Sequence, residues 1–227
     1  MSFTQSLFAV GLAIVTFCRT TLAADLARTT DHDYEAPAPG SYTLPVMKPA
    51  ADGEVLDSQG RPLRLRELTR GRVTVMSFIY TRCTAVKACP YATGVLMQLH
   101  RLSAEDGELA KNLRLVSISF DPDNDTPARM AAYSALAGNS NPASEWRFLT
   151  ARSQAELQPI LDAYGQAVDR RRNPNDPQGP LYHTLRVYLI DPEGRIRNIY
   201  SSGTLDPRLV LADVKTLMLE QKTPRKN

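Results

Sequence analysis

The sequence predicts an α/β domain with a central mixed β-sheet and helices on both faces. Three observations carry that expectation. Apolar, β-branched runs at Val73–Tyr80 and Asn112–Phe120 read as strands buried on both sides. Segments with helical spacing of apolar residues, Tyr91–Leu102 and the stretch after Pro127, alternate with them. Two further pairs of strand-like segments lie before and after this alternating unit. Hairpin, strand, helix, strand, helix, strand, helix, hairpin and helix, in that order, is the pattern of helices packed on both faces of a mixed sheet.

Taken in order, Tyr42–Met47 suggests an early edge strand. Glu54–Gly60 followed by Pro62–Leu68 predicts an N-terminal β-hairpin around a glycine turn. Val95, Leu96, Leu99 and Leu102 give the first long helix an apolar face, with His100 assigned to its polar side and Met97 to packing. Asp121-Pro-Asp-Asn-Asp-Thr-Pro127 supplies turn and cap chemistry: Asp125 or Thr126 can cap a helix that Pro127 opens, with Met130, Ala131, Tyr133 and Leu136 facing inward. Glu145–Leu149 reads as a short strand, and Ser153-Gln-Ala-Glu156 as a capping box. Pro159 should kink or restart the next helix. Asp169–Pro180 is charged and proline-rich, hence an exposed loop. Thr184–Ile190 and Arg195–Tyr200 read as two strands around the Asp191–Gly194 turn, and a last helix starts near Asp206–Pro207.

A chain of 227 residues can bury one ordinary core, and 43% hydrophobic with 22% charged residues fits a globular domain. Net charge is +3, of which Arg19 supplies one within the first 24 residues. So balanced a remainder gives no basis for nucleic-acid binding. The uncharged apolar stretch Leu7–Cys18 is shorter than the roughly 17–25 residues a spanning helix needs. It suits a signal peptide over 1–24, with Ala23-Ala24 before Asp25, although no Lys or Arg precedes it and an uncleaved membrane anchor is the alternative. Either reading puts the domain outside the cytoplasm, periplasmic or tethered to the membrane. Residues 25–41 are a proline-rich linker in which His32 is a solvated residue, 42–221 form the domain, and 222–227 are a basic tail.

Cys18 belongs to the exported segment, which leaves Cys83 and Cys89 as a pair in an oxidising compartment. A bridge closing so short a loop removes little unfolded-state entropy, so the pair is a poor staple and a better switch. The two sulfurs fall at the carboxyl end of the Val73–Tyr80 strand and the amino end of the helix Pro90 opens. Partial positive charge there favours thiolates, the form both soft metals and disulfide exchange require. His183, beside the Asp169–Pro180 loop, is the best-placed third group. Two thiolates and one imidazole make a soft three-coordinate set suited to Cu(I), whereas structural zinc normally takes four protein ligands. Asp121, Asp123 and Asp125 are hard donors, cast as turn and cap residues with an electrostatic role behind the ligands as the alternative.

Phe78-Ile-Tyr-Thr-Arg-Cys83 with Cys89-Pro90, Asp121–Pro127, and His183 ahead of Val187–Gly194 together resemble the SCO/SenC family, over about 42–218. The resemblance implies a thioredoxin-like fold, copper bound by Cys83, Cys89 and His183, and a role in assembling the dinuclear copper centre of cytochrome c oxidase. The implied partners are a copper-accepting oxidase subunit or other copper protein, and a thiol-redox partner. The chain departs from the common pattern in having five residues, Thr84–Ala88, between the cysteines instead of three. The wider loop bears on S–S closure, and Lys87 within it is expected to lower the thiol pKa values.

Two further functions compete. One is a thiol–disulfide oxidoreductase working through Cys83 and Cys89, in an order the sequence does not assign; the absence of C-x-x-C weighs against it. The other is a peroxiredoxin-like peroxidase, which would want Pro and Thr where Met76 and Tyr80 stand.

Overall fold

The computed structural model describes residues 32–138 and 143–222. The expected signal or anchor segment and the tail beyond 222 lie outside the described residues. The elements are β1 (Lys48–Pro49), β2 (Glu54–Leu56), β3 (Pro62–Arg64), α1 (Leu65–Leu68), β4 (Val73–Ile79), α2 (Cys89–Glu105), α3 (Gly107–Asn112) and β5 (Leu113–Ser119). They continue with α4 (Pro127–Ser134), β6 (Glu145–Leu149), α5 (Gln154–Tyr164), β7 (Val168–Arg170), β8 (Leu181–His183), β9 (Val187–Ile190), β10 (Arg195–Tyr200) and α6 (Pro207–Lys222).

Six strands form the main sheet in the order β1-β10-β9-β4-β5-β6. β4, β5 and β6 run parallel, while β9, β10 and β1 add antiparallel neighbours, so the sheet is mixed as the element order predicts. The pleat sorts the apolar runs onto two faces. Val73 and Val75 of β4, Leu113 and Leu115 of β5, and Val187 and Leu189 of β9 pack with α2 and α6. Met76 and Phe78, Val116 and Ile118, and Tyr188 and Ile190 pack on the other face, with α4 and α5. That double burial is why these strands read as unbroken apolar runs.

The N-terminal hairpin is present as β2–β3, with Val55 opposite Leu63 and the turn closed by Gly60 N–H donating to Asp57 O. α6 starts at Pro207 and buries Val210, Val214, Leu217 and Met218. Thr126 caps α4 by accepting from Arg129 N–H, with Pro127 first in the helix. Asp125 is therefore not the cap.

Several local expectations are corrected. Tyr42–Met47 is not a strand: Met47 N–H donates to Ile196 O of β10, but the paired strand is only Lys48–Pro49, and Pro45 ahead of it has no N–H to extend a ladder. Asn112, expected to open the second buried strand, instead ends the short helix α3, which Asp106 caps. α5 runs unbroken through Pro159, held on both sides of it by buried Leu157, Ile160, Leu161 and Tyr164. Asp169 and Arg170 belong to β7, which pairs with β8 instead of lying in the loop. His183 ends β8, and the next strand starts only at Val187.

Two histidines also change place. His100 is buried, because Ala92, Leu96, His100 and Ser103 continue one inner stripe wider than the Leu and Val positions alone suggest. Its ring packs 5.7 Å from that of Trp146, and burial pushes its imidazole below the ordinary range. His32 is buried as well, with Nε2 3.2 Å from Tyr91 Oη, and its carbonyl accepts from Arg208.

Candidate metal centre

β4 delivers the chain to the site at its carboxyl end, where Tyr80 is anchored to the segment that leads into β8, and Thr81 and Arg82 to the Asp121–Pro127 turn. Tyr80 Oη donates to the carbonyls of Gln178 and Leu181, at 3.2 and 3.3 Å. Thr81 N–H donates to Asp125 Oδ2 at 2.9 Å, and Arg82 Nη2 to Asp121 Oδ2 at 2.9 Å. Cys83 then turns back, its N–H donating to Tyr80 O. The five residues between the cysteines bulge outward, with Val86 77% exposed at the crest. Ala88 N–H closes a turn onto Ala85 O, and Thr84 Oγ1 donates to Pro177 O.

Cys89 is the first residue of α2 and Pro90 the second, one position earlier than the proline alone suggests. Cys89 is 1% exposed, whereas Cys83 is half-buried and opens onto a surface cleft of about 510 Å³ that Val86, Lys87, Arg171 and Tyr182 also line. β8 brings in the third group: Leu181–His183 pairs antiparallel with Val168–Arg170, His183 opposite Val168. The imidazole lies between aromatic rings, 4.7 Å from that of Phe120 and 6.0 Å from that of Tyr80. His183 Nε2 stands 3.3 Å from Cys89 Sγ, and one ligand atom from each of Cys83, Cys89 and His183 falls within 4.8 Å of the others. The β7–β8 hairpin closes over Tyr80 at Gly179, where φ is +96° and a Cβ would fall 2.2 Å from Tyr80 Oη. Glycine alone has room there.

The two sulfurs are electrostatically unlike. Cys83 is pulled down to about 4 from an ordinary 9.0. The hydrogen bond from the Cys89 thiol contributes most, then His183, then the backbone N–H groups of Cys89 and Ala85; burial works the other way. Lys87, expected to act on the thiols, lies exposed on the outer turn, and these larger contributions come from other groups. Burial pushes the Cys89 thiol up, and the negative charge of Cys83 pushes it further. The start of α2 thus favours the thiolate of Cys83, toward which its first N–H points, rather than that of Cys89. Burial and the neighbouring Cys83 hold Tyr80 up at about 12, a neutral phenol.

Chemically this is two sulfurs and one imidazole nitrogen in a recess, with a single face toward solvent. Such a set fits a soft cation of low coordination number and offers one donor fewer than a closed tetrahedral zinc site. His183 Nδ1 is buried with no hydrogen-bond partner among the described residues.

Residues 50–219 match the SCO1/SenC family. The chain belongs to that family. A SCO1 protein homolog of Bacillus subtilis (strain 168) is 28% identical over 164 residues, 70% of this chain and 78% of that protein. The SCO1/SenC family lipoprotein of Bacillus anthracis superposes with a TM-score of 0.62 at 25% identity, covering 75% of this chain and 95% of that one. The copper-bound ScoI of Bradyrhizobium japonicum gives 0.59 at 24% identity, covering 73% and 97%. These likenesses carry the thioredoxin-like fold.

In this SCO1/SenC chain the three residues singled out by type and position, Cys83, Cys89 and His183, converge in space. The acidic motif divides: Asp121 and Asp125 are buried and engage Arg82 and Thr81, while Asp123 is exposed. Sequence reasoning missed Tyr80, Phe120 and Gly179 as parts of the site. Gly179 carries a faint signal, a glycine inside a proline-rich loop, while the ring contacts depend on a hairpin register that no local pattern reveals. Among the described residues no helix is long and apolar enough to cross a membrane.

Proposed function

We propose that this chain is a copper-binding assembly factor that takes Cu(I) as cargo on Cys83, Cys89 and His183 and passes it, outside the cytoplasm, to the copper centre of cytochrome c oxidase. The observation that carries the reading is the grouping of two sulfurs and an imidazole within 4.8 Å. Family membership and a copper-bound relative of the same fold support it. Reduced Cys83 and Cys89 hold the ion, while a disulfide between them occupies the same sulfurs, so redox state gates uptake and release. The acceptor is a copper protein outside the cytoplasm, met by a domain that an N-terminal signal or anchor has exported.

The test is anaerobic Cu(I) titration of the reduced protein against a competing chelator, with Cys83→Ser, Cys89→Ser and His183→Ala alongside. One tight equivalent that each substitution weakens is the expected result. A protein that binds no Cu(I) tightly, or that binds it equally well without Cys89, sinks the reading.

A second reading is favoured by the unequal sulfurs. The half-buried Cys83 thiolate is built to attack a partner's disulfide, forming a mixed disulfide and freeing one partner thiolate, which takes up a proton. Cys89, once deprotonated, then attacks Cys83 Sγ and releases the second partner thiolate. The partner gains two electrons and the chain ends as the Cys83–Cys89 disulfide. This is the thiol–disulfide reductase alternative, and the buried sulfur takes the resolving role.

A further inference from the structure

The metal centre is held from behind by a carboxylate that touches none of its three donors. Asp125 is 0% exposed and accepts three hydrogen bonds: from Thr81 N–H at 2.9 Å, from Thr81 Oγ1 at 2.5 Å and from Ser119 Oγ at 2.6 Å. Ser119 ends β5, and Thr81 lies just past the end of β4. Asp125 therefore ties the exits of two adjacent parallel strands together, two residues before Cys83. The tie is itself braced: Asp125 N–H donates to Asp121 O at 2.7 Å, and Asp121 N–H to Ser119 Oγ at 3.0 Å. Downstream of Cys83, Thr84 Oγ1 donates to Pro177 O, Ala88 N–H donates to Ala85 O, and the N–H groups of Ala85 and Cys89 are directed at the Cys83 sulfur.

From this tie we propose that Asp125, acting through Thr81, is a positioning residue that sets where Cys83 stands relative to Cys89 and His183. The five-residue loop then joins two ends that are each set by contacts outside it. Cys83 is fixed by the Asp125–Thr81 tie, and Cys89 by its place in the first turn of α2. On this reading the grouping of the three donors depends on these two anchors rather than on the length of the loop. The physical reason is preorganisation: groups that orient a metal-binding side chain typically contribute about 10–100-fold in affinity, seen when they are removed. The proposal rests on the copper reading for one of its two readouts only.

Thr81→Val keeps size and branching while removing the hydroxyl donor, and Thr81→Ser restores it. The first readout is Cu(I) affinity by chelator competition. The second, taken on metal-free protein, is the Cys83–Cys89 dithiol–disulfide equilibrium against glutathione. Thermal unfolding is followed alongside. Thr81→Val should weaken Cu(I) binding about tenfold and disfavour the intramolecular disulfide about tenfold, and Thr81→Ser should recover most of both losses. Asp125→Asn combined with Thr81→Val should cost scarcely more at the site than the more damaging single change, since both break one tie. Thr81→Val within about twofold of wild type in either readout overturns the proposal, as does a Thr81→Ser that falls as far as Thr81→Val. A shift in unfolding temperature alone, with both site readouts unmoved, makes Asp125 an ordinary structural carboxylate and overturns it too. If wild type itself binds no Cu(I), the copper reading fails and the glutathione equilibrium alone decides the positioning role.

Discussion

Cys89 Sγ and His183 Nε2, 94 residues apart in the chain, lie 3.3 Å from each other. One belongs to the first turn of α2 and the other to the end of β8, so this contact joins a helix of the main layer to a hairpin that lies outside the six-stranded sheet. Cys83 completes the group from the half-exposed side. A site so arranged has one sulfur ready to meet a partner and one that a partner cannot reach.

That asymmetry predicts selective alkylation. With Cys83 at about 4 and Cys89 pushed up by burial, Cys83 is a thiolate and Cys89 a thiol throughout the neutral range. Iodoacetamide at about pH 6 should modify Cys83 and leave Cys89 untouched, at a rate nearly flat from about pH 6 to 8. An ordinary thiol, at 9.0, would speed up roughly ninetyfold over the same interval. Peptide mapping by mass spectrometry reads the site. Equal modification of both sulfurs, or a steep rise in rate with pH, would contradict the assignment.

The same charges fix a proton count. Metal ligands must be deprotonated to bind. Since Cys83 has already lost its proton at about pH 7.5 and Cys89 has not, each Cu(I) bound should release about one proton instead of the two expected from a pair of ordinary thiols. Calorimetric titration in buffers of different ionisation enthalpy measures this number directly. A value near two would mean that both thiols are protonated before binding.

How much of this was legible beforehand depends on the range of the forces involved. The faces of β4, β5 and β9 were readable because double burial leaves a local mark, an unbroken apolar run. The Cys83–Cys89 pair and His183 were readable by chemistry and position. What was lost depends on contacts between distant segments. His32 reaches Tyr91 across 59 residues, and Tyr80 reaches Leu181 across 101. His100 was misplaced for another reason: a helix facing both a sheet and a neighbouring strand end buries a broader stripe than its leucines mark. Asp125 fits a cap by sequence, and only the three-dimensional meeting of two strand ends gives it Thr81 and Ser119.

Gly179 gives a test of the hairpin's hold on the site. A Cβ there would fall 2.2 Å from Tyr80 Oη and 2.9 Å from Arg82 O, at a φ of +96° that L side chains rarely adopt. Gly179→Ala should lower unfolding stability by about 1–3 kcal/mol, read from the urea midpoint. It should also erode the alkylation selectivity for Cys83, because Tyr80 and Arg82 must move to admit the methyl group. Gly138, also at positive φ but with open space around its Cα, is the comparison: Gly138→Ala meets backbone strain alone and should leave the thiols unchanged.

On the α6 side a second buried carboxylate contributes to the pH dependence of stability in the alkaline range. Asp213 is 1% exposed and accepts from Tyr200 Oη at 2.6 Å, from Asn198 Nδ2 at 2.8 Å and from Tyr42 Oη. Tyr42 is held up at about 12, by burial first and then by Asp213, and Tyr200 is raised well above its ordinary 10.0 for the same two reasons. A phenol whose folded pKa is raised contributes stability that is fully present below its unfolded value. That contribution is lost as pH rises from there through the folded value. Stability should therefore be level on this account up to about pH 10 and fall between about pH 10 and 12. Tyr42→Phe removes one of the two phenols. It should cost about 1 kcal/mol at about pH 8, where its hydrogen bond to Asp213 is lost, and make the alkaline decline shallower. Urea unfolding of both proteins across about pH 8–11 measures the slope. Parallel curves would show that Tyr42 takes no part in it.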